Sequence, residues 1–424
     1  MELILFLSCF LVLLIIGFPI ALNLLTSSIV YLYAADYPLA LVGQRLFEGM
    51  NGFALLAVPF FVLMGQLMLK GRLLEALADF VSAFFGHMKG ALGFVVIGTC
   101  LLMGSIVGLA VAVAASLGSL MIPMMKEQGY SPGFSSAVMS SAALLGPIMP
   151  PGVLMVIYCI AVGRTSIAGL FLATIIPAFL IAIAQMFIVH RRALKENLPS
   201  QPKAAWPEKW RKMRAAIPAL MLPVIILGGI FGRIFTVTEA SAVGALYAFI
   251  YVFFITRKVT VKDLPGIFLE TAVTSGLIIL LVGAGTVAAW VVANEQIVNN
   301  LMAPISHLPA WGFLLLVNVI LIIFGMFMDD AASAVVLGPI IAPIAWSLGI
   351  DPIHIGAIFC TNLVIGLATP PFGIVLFVTS PIAKVTIEET FKYAWPMIAA
   401  SIGVLLIMTF FPQTVLWLPR LFGY

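Results

Sequence analysis

Long apolar segments without charged residues determine what this chain can fold into. The segments 3–16, 91–120 and 313–328 contain no charged side chain, and only 9% of the whole sequence is charged. Soluble proteins carry about 25% charged residues, so this chain could not cover its own surface in water. In lipid, the backbone must satisfy its own hydrogen bonds, which leaves helices or a closed barrel. Because the apolar segments lack the polar–apolar alternation of barrel strands, the sequence predicts an all-α polytopic membrane protein.

An internal repeat is the second feature of the chain. When the sequence is shifted by 220 residues, Gly146 falls on Gly366, and the Pro-Pro dipeptide at 150–151 falls on the Pro-Pro dipeptide at 370–371. Glycine and proline at matched positions are informative because each of them weakens or interrupts a helix. We therefore expect two related halves with breaks at corresponding places.

Breaks inside the apolar segments indicate re-entrant hairpins and interrupted helices. The segments 91–125 and 310–346 contain central glycines and are too long for one simple span, so each is predicted to be a hairpin. The remaining segments bring the prediction to about ten membrane spans plus two re-entrant helical hairpins. The predicted hairpin tips lie near 104–110 and 325–331, and the predicted helix breaks lie at 146–152 and 366–373.

The basic residues predict how the chain crosses the membrane. With this order of spans, 17 of the 21 Lys and Arg residues fall on the side of a polar linker, 191–214, and four fall on the other side. The positive-inside rule makes the linker side cytoplasmic. Both termini are then expected outside, and the two halves begin on opposite sides, so the repeats are inverted. Hairpin 1 is expected to enter from the cytoplasm and hairpin 2 from outside.

Inverted repeats with broken helices are typical of secondary transporters. A helix that is interrupted within the membrane presents backbone carbonyl groups, which can bind Na⁺. We therefore predict one Na⁺ site at each pair of breaks, the alternative being that the glycines and prolines are packing kinks. The first predicted site contains Gly104, Ser105, Gly108, Gly146 and Pro150. The second contains Gly325, Met328, Asp329, Gly366 and Thr369.

Two adjacent carboxylates distinguish the second hairpin from the first. Asp329 and Asp330 follow an apolar run, and the first half has Leu109 and Ala110 at the matching positions. Acidic residues inside a membrane segment indicate a functional site, although a tip near the outer surface would also tolerate them. Hydroxyl and amide groups precede each break and are candidates for the substrate cavity. The predicted substrate residues are Ser140, Ser141, Asp330, Thr361 and Asn362.

Other functional classes find little support in the sequence. There is no Gly-Lys dipeptide and hence no Walker A loop, so transport would be driven by an ion gradient or by the substrate itself. The cysteines and histidines are scattered without metal-ligand spacing, and no nucleophile–base set converges, so neither an enzyme nor a cofactor is expected. Nucleic acid is not an expected partner. Glu239, which follows Thr236-Val237-Thr238, is interpreted as the start of a helix or a scaffold contact.

Six segments resemble a known family, the large membrane subunit of tripartite ATP-independent periplasmic (TRAP) transporters. The likeness extends over nearly the whole chain. It departs from the family pattern at Val237, where a proline is expected. The segments that carry the resemblance are 17–21, 58–65, 146–152, 235–240, 325–329 and 368–373.

The resemblance implies a function and a set of partners. Such subunits import organic acids with Na⁺ as the coupling ion across the bacterial inner membrane, together with a small four-helix membrane subunit and a periplasmic substrate-binding protein. The family's substrates include C4-dicarboxylates and sialic acid, and the general likeness favours sialic acid. A stand-alone divalent-anion/Na⁺ symporter of similar fold stays an alternative.

The resemblance also implies an elevator mechanism and a division of the chain into parts. Hairpins and broken helices would form the moving transport parts, and the other helices, with arms near 72–86 and 291–306, would form the scaffold. The expected parts are first-repeat scaffold (1–90), first-repeat transport part (91–190), cytoplasmic linker (191–214), second-repeat scaffold (215–309) and second-repeat transport part (310–424).

Overall fold

The computed structural model describes residues 2–71, 73–200, 203–305 and 308–424, and most of these residues are helical. Within these ranges the side chains at 74, 105, 106 and 303–305 are not described. Nine helices among the described residues are long and apolar enough to cross a membrane, and a tenth span results if the pair Pro132–Ile148 and Val153–Val162, bent by 48°, counts as one. The predicted all-α polytopic membrane protein is thereby confirmed.

The helices follow one another through two halves of the chain. The first half contains α1 (Glu2–Ile15), α2 (Ile20–Ala34), α3 (Ala40–Met50), α4 (Ala57–Lys70), α5 (Leu73–Phe85), α6 (Ala91–Val107), α7 (Ala110–Glu127), α8 (Pro132–Ala143), α9 (Leu145–Ile148), α10 (Val153–Val162) and α11 (Ile167–Lys195). The second half contains α12 (Trp206–Phe231), α13 (Val237–Ile250), α14 (Leu264–Asn294), α15 (Ile297–Ile305), α16 (Ala310–Phe327), α17 (Asp330–Ser347), α18 (Pro352–Gly366), α19 (Ile374–Ala383), α20 (Ile387–Phe410) and α21 (Gln413–Leu421).

The broken helices of the two halves begin with the same local chemistry. Ser131 caps α8 by accepting a hydrogen bond from the Phe134 N–H, and Asp351 caps α18 by accepting one from the Ile353 N–H. In both helices a proline occupies the first turn, where its missing N–H costs nothing. Each cap therefore fixes where the broken helix starts.

The breaks themselves lie where the two Pro-Pro dipeptides occur. The chain between α9 and α10 is extended at Met149 and Gly152, and the chain between α18 and α19 reaches a left-handed conformation at Gly373. The Pro150-Pro151 and Pro370-Pro371 peptide bonds are both cis. Because proline lacks an N–H, neither dipeptide can continue the helix that precedes it.

Several details differ from the sequence predictions. The linker predicted over 191–214 is mostly helical, because α11 continues to Lys195 and α12 begins at Trp206. Its charged side chains extend helices beyond their apolar spans instead of ending them. The arm predicted near 291–306 is α15, since α14 continues to Asn294; residues 72 and 306 of the two predicted arms lie outside the described residues. The short helices α3 and α21 were not predicted.

Contacts between the halves build the interior around the breaks. The hairpin helix α6 packs on α8 and α9, and the hairpin helix α16 packs on α18. Across the halves, α8 contacts α19 and α20, and α10 contacts α17. A buried hydroxyl cluster joins them: Ser136 Oγ donates to Thr379 Oγ1 at 3.0 Å, and Thr390 Oγ1 donates to Ser136 Oγ at 3.0 Å. Hydrogen-bonded hydroxyls of this kind hold apolar helices in one register.

A capping box fixes the start of α13. The Glu239 N–H donates to Thr236 Oγ1, and the Glu239 carboxylate accepts from the Thr236 N–H at 2.8 Å. This arrangement satisfies two backbone donors that the helix itself leaves unpaired. The interpretation of Glu239 as a helix start is confirmed.

Two ion pairs each contain a lysine that is predicted to lie on the cytoplasmic side. Lys70 lies 3.4 Å from Glu270, and Lys212 lies 3.6 Å from Asp79. The first contact joins α4 to α14, and the second joins α12 to α5. Which side of the membrane these contacts occupy stays a prediction.

Candidate functional site

The tip of hairpin 1 lies against the broken helix of its own half. Helix α6 is capped at its C-terminus by Gly108, which has a φ of +66° and donates its N–H to the Gly104 carbonyl. A Cβ atom at Gly104 would lie 2.7 Å from the Leu145 carbonyl oxygen and 3.0 Å from the Gly146 Cα. Only glycine allows the two backbones to come this close. Backbone carbonyls of α9 therefore face the hairpin just before the break.

The tip of hairpin 2 repeats this arrangement in the second half. A Cβ atom at Gly325 would lie 2.7 Å from the Leu363 carbonyl oxygen and 3.0 Å from the Gly366 Cα. The ring of Phe327, at the end of α16, also lies 5.4 Å from the ring of Phe372 in the break. Each half thus has a crossing of hairpin and broken helix at a pair of glycines, which we call the glycine crossings.

The break in the second half offers oxygen atoms to a cation. The Thr369 hydroxyl donates to the Ile365 carbonyl at 3.0 Å, and the Thr369 carbonyl accepts from the Gly373 N–H at 3.2 Å. Hydroxyl and carbonyl oxygens that take part in one hydrogen bond keep a further lone pair. Oxygen ligands of this type suit a hard cation such as Na⁺.

The two carboxylates at the start of α17 share one backbone donor. The Ala331 N–H lies 2.8 Å from Asp330 Oδ1 and 3.2 Å from Asp329 Oδ2. Asp329 is the N-cap of α17, so helix capping is one reason for an aspartate at this position. Asp330 is buried, whereas the Asp329 side chain is exposed. Each carboxylate keeps oxygen lone pairs that this donor does not use.

A cavity of about 230 Å³ lies between the two hairpin tips and contains both carboxylates. Hairpin 1 contributes Gly108 and Leu109, and α10 contributes its first turn at Val153. The opposite wall is α14, which belongs to the predicted scaffold. The cavity is below the roughly 300–1,000 Å³ of sites for drug-sized molecules, so it suits a small ligand. The lining residues are Gly108, Leu109, Val153, Leu154, Ile157, Thr274, Leu277, Ile278, Asp329, Asp330 and Ala331.

The titratable side chains that line this cavity are acidic. Among the described residues that line it, Asp329 and Asp330 are acidic and none is basic. Within the described part of the chain, no cluster of three His, Cys, Asp or Glu side chains could hold a metal ion. A cation at the cavity would therefore need backbone oxygens beside one or two carboxylates.

The predicted Na⁺ residues lie at the two tips and breaks. Gly104 meets Gly146 at the first glycine crossing, and Gly325 meets Gly366 at the second. Pro150 is in the first break, and the buried Met328 is the last residue before the carboxylates. The Ser105 side chain lies outside the described side chains.

The other predicted substrate residues do not reach the cavity. Ser140 and Ser141 on α8, and Thr361 and Asn362 on α18, are fully buried and line none of its wall. Asn362 Nδ2 donates to the backbone carbonyl of Asn318 at 3.1 Å and to its side-chain oxygen at 2.9 Å, so it ties α18 to α16. Of the predicted substrate set, Asp330 alone is at the cavity.

The sequence did not point to Thr274 as a cavity residue. It lies in the middle of α14, opposite the carboxylates, and is partly exposed. Its neighbours Thr271 and Ser275 give this long apolar helix a short polar stretch, which is the signal that could have revealed it. Polar groups within a membrane span often mark a substrate pathway.

Two hairpins that each pack on a broken helix, with a cavity between the hairpin tips, are typical of a secondary transporter of the broken-helix type. The chain belongs to the family described as "Tripartite ATP-independent periplasmic transporter, DctM component", whose model matches residues 7–414. The predicted family is thus confirmed, and the chain is a multi-pass inner-membrane subunit of a transporter. Membership implies a small membrane subunit and a periplasmic binding protein as partners.

The relatives of this chain carry different substrates in their names. A C4-dicarboxylate TRAP transporter large permease of Pseudomonas aeruginosa is 36% identical over 381 residues, which cover 89% of either chain. A sialic acid TRAP transporter large permease of Vibrio cholerae is 36% identical over 413 residues, which cover 96% of either chain. Sequence identity therefore does not select between the two substrates.

A solved structure supports the fold. The YdaH transporter of Alcanivorax borkumensis superimposes with a TM-score of 0.63 at 18% identity, over 88% of either chain. At this identity the likeness concerns the fold alone.

Proposed function

We propose that this chain is the large permease of a Na⁺-coupled importer for an organic acid of the sialic acid or C4-dicarboxylate class. The observation that carries the proposal is the cavity of about 230 Å³ that holds Asp329 and Asp330 between two hairpin tips. An organic acid would bring a further negative charge to it. Two like charges about 4 Å apart repel by roughly 4 kcal/mol at an effective dielectric constant near 20. Cations bound beside the acid would offset this repulsion, which couples the acid to Na⁺.

Two Na⁺ sites are proposed beside the cavity, one at each glycine crossing. The first uses backbone oxygens of Gly104, Gly108, Gly146 and Pro150 and the Ser105 hydroxyl. The second uses backbone oxygens of Gly325, Met328 and Gly366, the Asp329 carboxylate and the Thr369 hydroxyl. The close approach of the backbones at both crossings supports this assignment. Carbonyl groups at the ends of broken helices are the usual ligands of transported Na⁺.

The substrate is proposed to bind between the tips, against α14. Asp330 and Thr274 line this space. A carboxylate accepts hydrogen bonds, so Asp330 would contact hydroxyl groups of the substrate and not its acid group. This arrangement favours a hydroxylated acid, in agreement with the prediction of sialic acid from the general likeness to the family.

The transport cycle is proposed to be an elevator movement of the two transport parts, 91–190 and 310–424, against the scaffold. The cavity supports this division because its walls come from both hairpins on one side and from α14 on the other. A periplasmic binding protein would deliver the acid, and a small four-helix membrane subunit would extend the scaffold. Both termini would lie in the periplasm, in agreement with the distribution of basic residues.

Uptake into proteoliposomes tests the proposal. The vesicles contain this chain and its small membrane subunit, with the binding protein outside, and receive labelled sialic acid or a labelled C4-dicarboxylate. We expect uptake of one acid that requires both the binding protein and an inward Na⁺ gradient. Undiminished uptake without Na⁺, under several imposed gradients, would contradict the coupling. Uptake by this chain alone would favour the stand-alone symporter.

A further inference from the structure

A large apolar groove lies between part of hairpin 2 and part of the scaffold. It has a volume of about 670 Å³ and lies apart from the cavity between the tips. Helices α1, α2, α14 and α15 form one wall, and α16 and α17 form the other. Among its described lining residues only Asn300 has a polar side chain. The groove is therefore lined by the scaffold and by a transport part, which the proposed elevator movement displaces relative to each other.

The rim and the floor of the groove differ in exposure. On the rim, Leu11 is 53% exposed and Phe327 is 52% exposed. On the floor, Phe6, Leu24 and Met328 are buried. Leu11 lies on the apolar helix α1 and Phe327 on the apolar helix α16, so in a membrane the rim would open toward lipid hydrocarbon, while the floor reaches into the protein.

Water and empty space are poor occupants of this groove. At about 30 Å³ per molecule, roughly twenty waters would fit, but each needs two to four polar partners. The described lining offers only the Asn300 side chain. An empty space of this size would also forfeit the packing contacts that protein interiors normally make.

A helix of a partner protein has too large a volume to lie wholly inside the groove. With its side chains a helix is about 10–12 Å across, so three turns of roughly 16 Å occupy more than about 1,000 Å³. A hydrocarbon chain is thinner and needs no hydrogen-bond partner. The membrane supplies such chains at high local concentration.

One end of the groove has the chemistry of a membrane interface. Asn300 Nδ2 donates to the Glu295 backbone carbonyl at 3.4 Å, and the Tyr31 hydroxyl donates to the Glu295 carboxylate. Asn294 Nδ2 donates hydrogen bonds to the hydroxyl oxygens of Tyr31 and Tyr37. Tyrosines and polar groups of this kind collect at the level of lipid headgroups.

From the apolar lining, the volume and this polar end, we infer that the groove binds one acyl chain of a bilayer phospholipid, with the headgroup near Asn300. The chain would lie between the scaffold and hairpin 2 and contact Met328, which directly precedes the carboxylates. Its binding does not depend on the identity of the transported acid.

Photolabelling of the whole transporter tests this inference. The transporter, with its small subunit and binding protein, is placed in vesicles of phosphatidylethanolamine that carries a diazirine in the middle of one acyl chain. After irradiation, labelled residues are mapped by mass spectrometry. We expect label on the buried floor, at Phe6, Phe10 or Met328. Label confined to exposed residues such as Val224 would overturn the inference.

A variant that fills the groove provides a second, matched measurement. Ala289→Trp places a large side chain in the groove, and Ala272→Trp on the same helix places one on the exposed surface away from it. Floor labelling should fall severalfold in the first variant and persist in the second. Equal labelling in both variants would show that the label does not report an occupant of the groove.

The small subunit is the competing occupant. A photoreactive phenylalanine analogue at Phe10 should form adducts with phospholipid when the assembled transporter is irradiated. Cross-linking of this residue to the small subunit instead would overturn the inference. This experiment does not depend on the folding of the Ala289→Trp variant.

Discussion

Asp329 and Asp330 illustrate how one pair of side chains serves structure and the proposed chemistry. Both accept from the Ala331 N–H, so they stabilise the start of α17. Both also line the cavity between the tips. A substitution that keeps the cap and removes the charge can separate the two roles, because asparagine caps helices as well as aspartate does.

We predict that Asp329→Asn raises the Na⁺ concentration for half-maximal uptake by at least about tenfold. A contact between Na⁺ and a carboxylate is worth up to roughly 4 kcal/mol at an effective dielectric constant near 20, and 1.4 kcal/mol corresponds to tenfold. Initial uptake rates over a range of Na⁺ concentrations measure the change. Asp36→Asn is the control, because Asp36 is an exposed carboxylate with a φ of +57°, which asparagine tolerates. An unchanged Na⁺ requirement for Asp329→Asn would remove this side chain from the proposed site.

At the capping box of α13 we predict a loss of stability without a change in the Na⁺ dependence of uptake. Thr236→Ala removes the hydroxyl that accepts from the Glu239 N–H. Loss of an N-cap typically costs about 1 kcal/mol, so thermal unfolding should shift downward while the Na⁺ dependence of uptake stays the same. Glu239→Gln is the matched control, since glutamine also completes a capping box. A changed Na⁺ dependence in Thr236→Ala would mean that this segment takes part in ion binding.

At the residue scale, the predicted carboxylates line the cavity between the tips, whereas the predicted neutral substrate residues do not. Asp329 and Asp330 are predictable because a charge in a membrane segment is costly and needs a reason. Thr274 is an ordinary residue for a membrane helix, and only the fold brings it opposite the carboxylates. Ser140 and Asn362 are polar and lie close to the breaks, yet both are buried between helices and do not line the cavity. Closeness to a break in the sequence does not reveal whether a side chain faces a neighbouring helix or a cavity.

At the scale of elements, the two glycine crossings set how closely a hairpin can approach its broken helix. Both crossings would bring an added Cβ within 3.0 Å of the Cα of the opposing glycine. The backbone carbonyls proposed to bind Na⁺ lie at these contacts. Small residues at helix interfaces are the usual route to such close approach in membranes.

We predict that Gly325→Ala destabilises the transporter and weakens Na⁺ binding. The new methyl group would lie 2.7 Å from the Leu363 carbonyl oxygen, so the two backbones must separate. Overpacking of this kind costs about 1–3 kcal/mol. Thermal unfolding with and without Na⁺ measures both effects, since a lost site also loses the Na⁺-dependent stabilisation.

Gly276→Ala is the matched control for that substitution. A Cβ at Gly276 meets nothing within 4 Å, and the residue lies inside α14. Alanine is a better helix former than glycine, so the control should unfold at the same temperature or higher. If Gly325→Ala and Gly276→Ala have the same unfolding temperature and the same stabilisation by Na⁺, the close approach of the backbones at Gly325 is not the reason for a glycine there.

Most elements could be predicted because their signals are local. The Pro-Pro dipeptides and the central glycines define the breaks and the hairpin tips within a few residues. The bounds of the linker could not be predicted from its charge, because charged residues continue α11 and α12 beyond the apolar spans. Helices α3 and α21 are short and amphipathic, so they lack the long apolar run that identifies a span.

At the scale of the whole molecule, α14 connects the cavity, the groove and the proposed boundary between scaffold and transport parts. It faces the hairpin tips at Thr274 and packs on α17 further along, where Gly285 meets Val335. A covalent link across the boundary tests the proposed division into moving and fixed parts.

We predict that a disulfide between Gly285→Cys and Val335→Cys stops uptake. A Cβ at Gly285 would lie 3.3 Å from the Val335 Cβ, close to the roughly 3.5–4.5 Å found in disulfides, so oxidation should join α14 to α17 in this conformation. If transport requires these helices to slide past each other, uptake is lost on oxidation and returns on reduction. The native cysteines are replaced by alanine first, because four of them lie in the chain.

A second disulfide, placed within one transport part, is the control for the loss of uptake. It shows whether uptake is lost because the link crosses the boundary between scaffold and transport part or because any disulfide inhibits the protein. A Cβ at Gly93 on α6 would lie 3.7 Å from the Val189 Cβ on α11, and both residues belong to the first-repeat transport part. Gly93→Cys with Val189→Cys should therefore form a disulfide that moves with one body and leaves uptake intact. Loss of uptake in this variant as well would mean that the transport part deforms internally. Full uptake with the α14–α17 link in place would mean that hairpin 2 and α14 stay together throughout the cycle, which excludes the proposed elevator boundary.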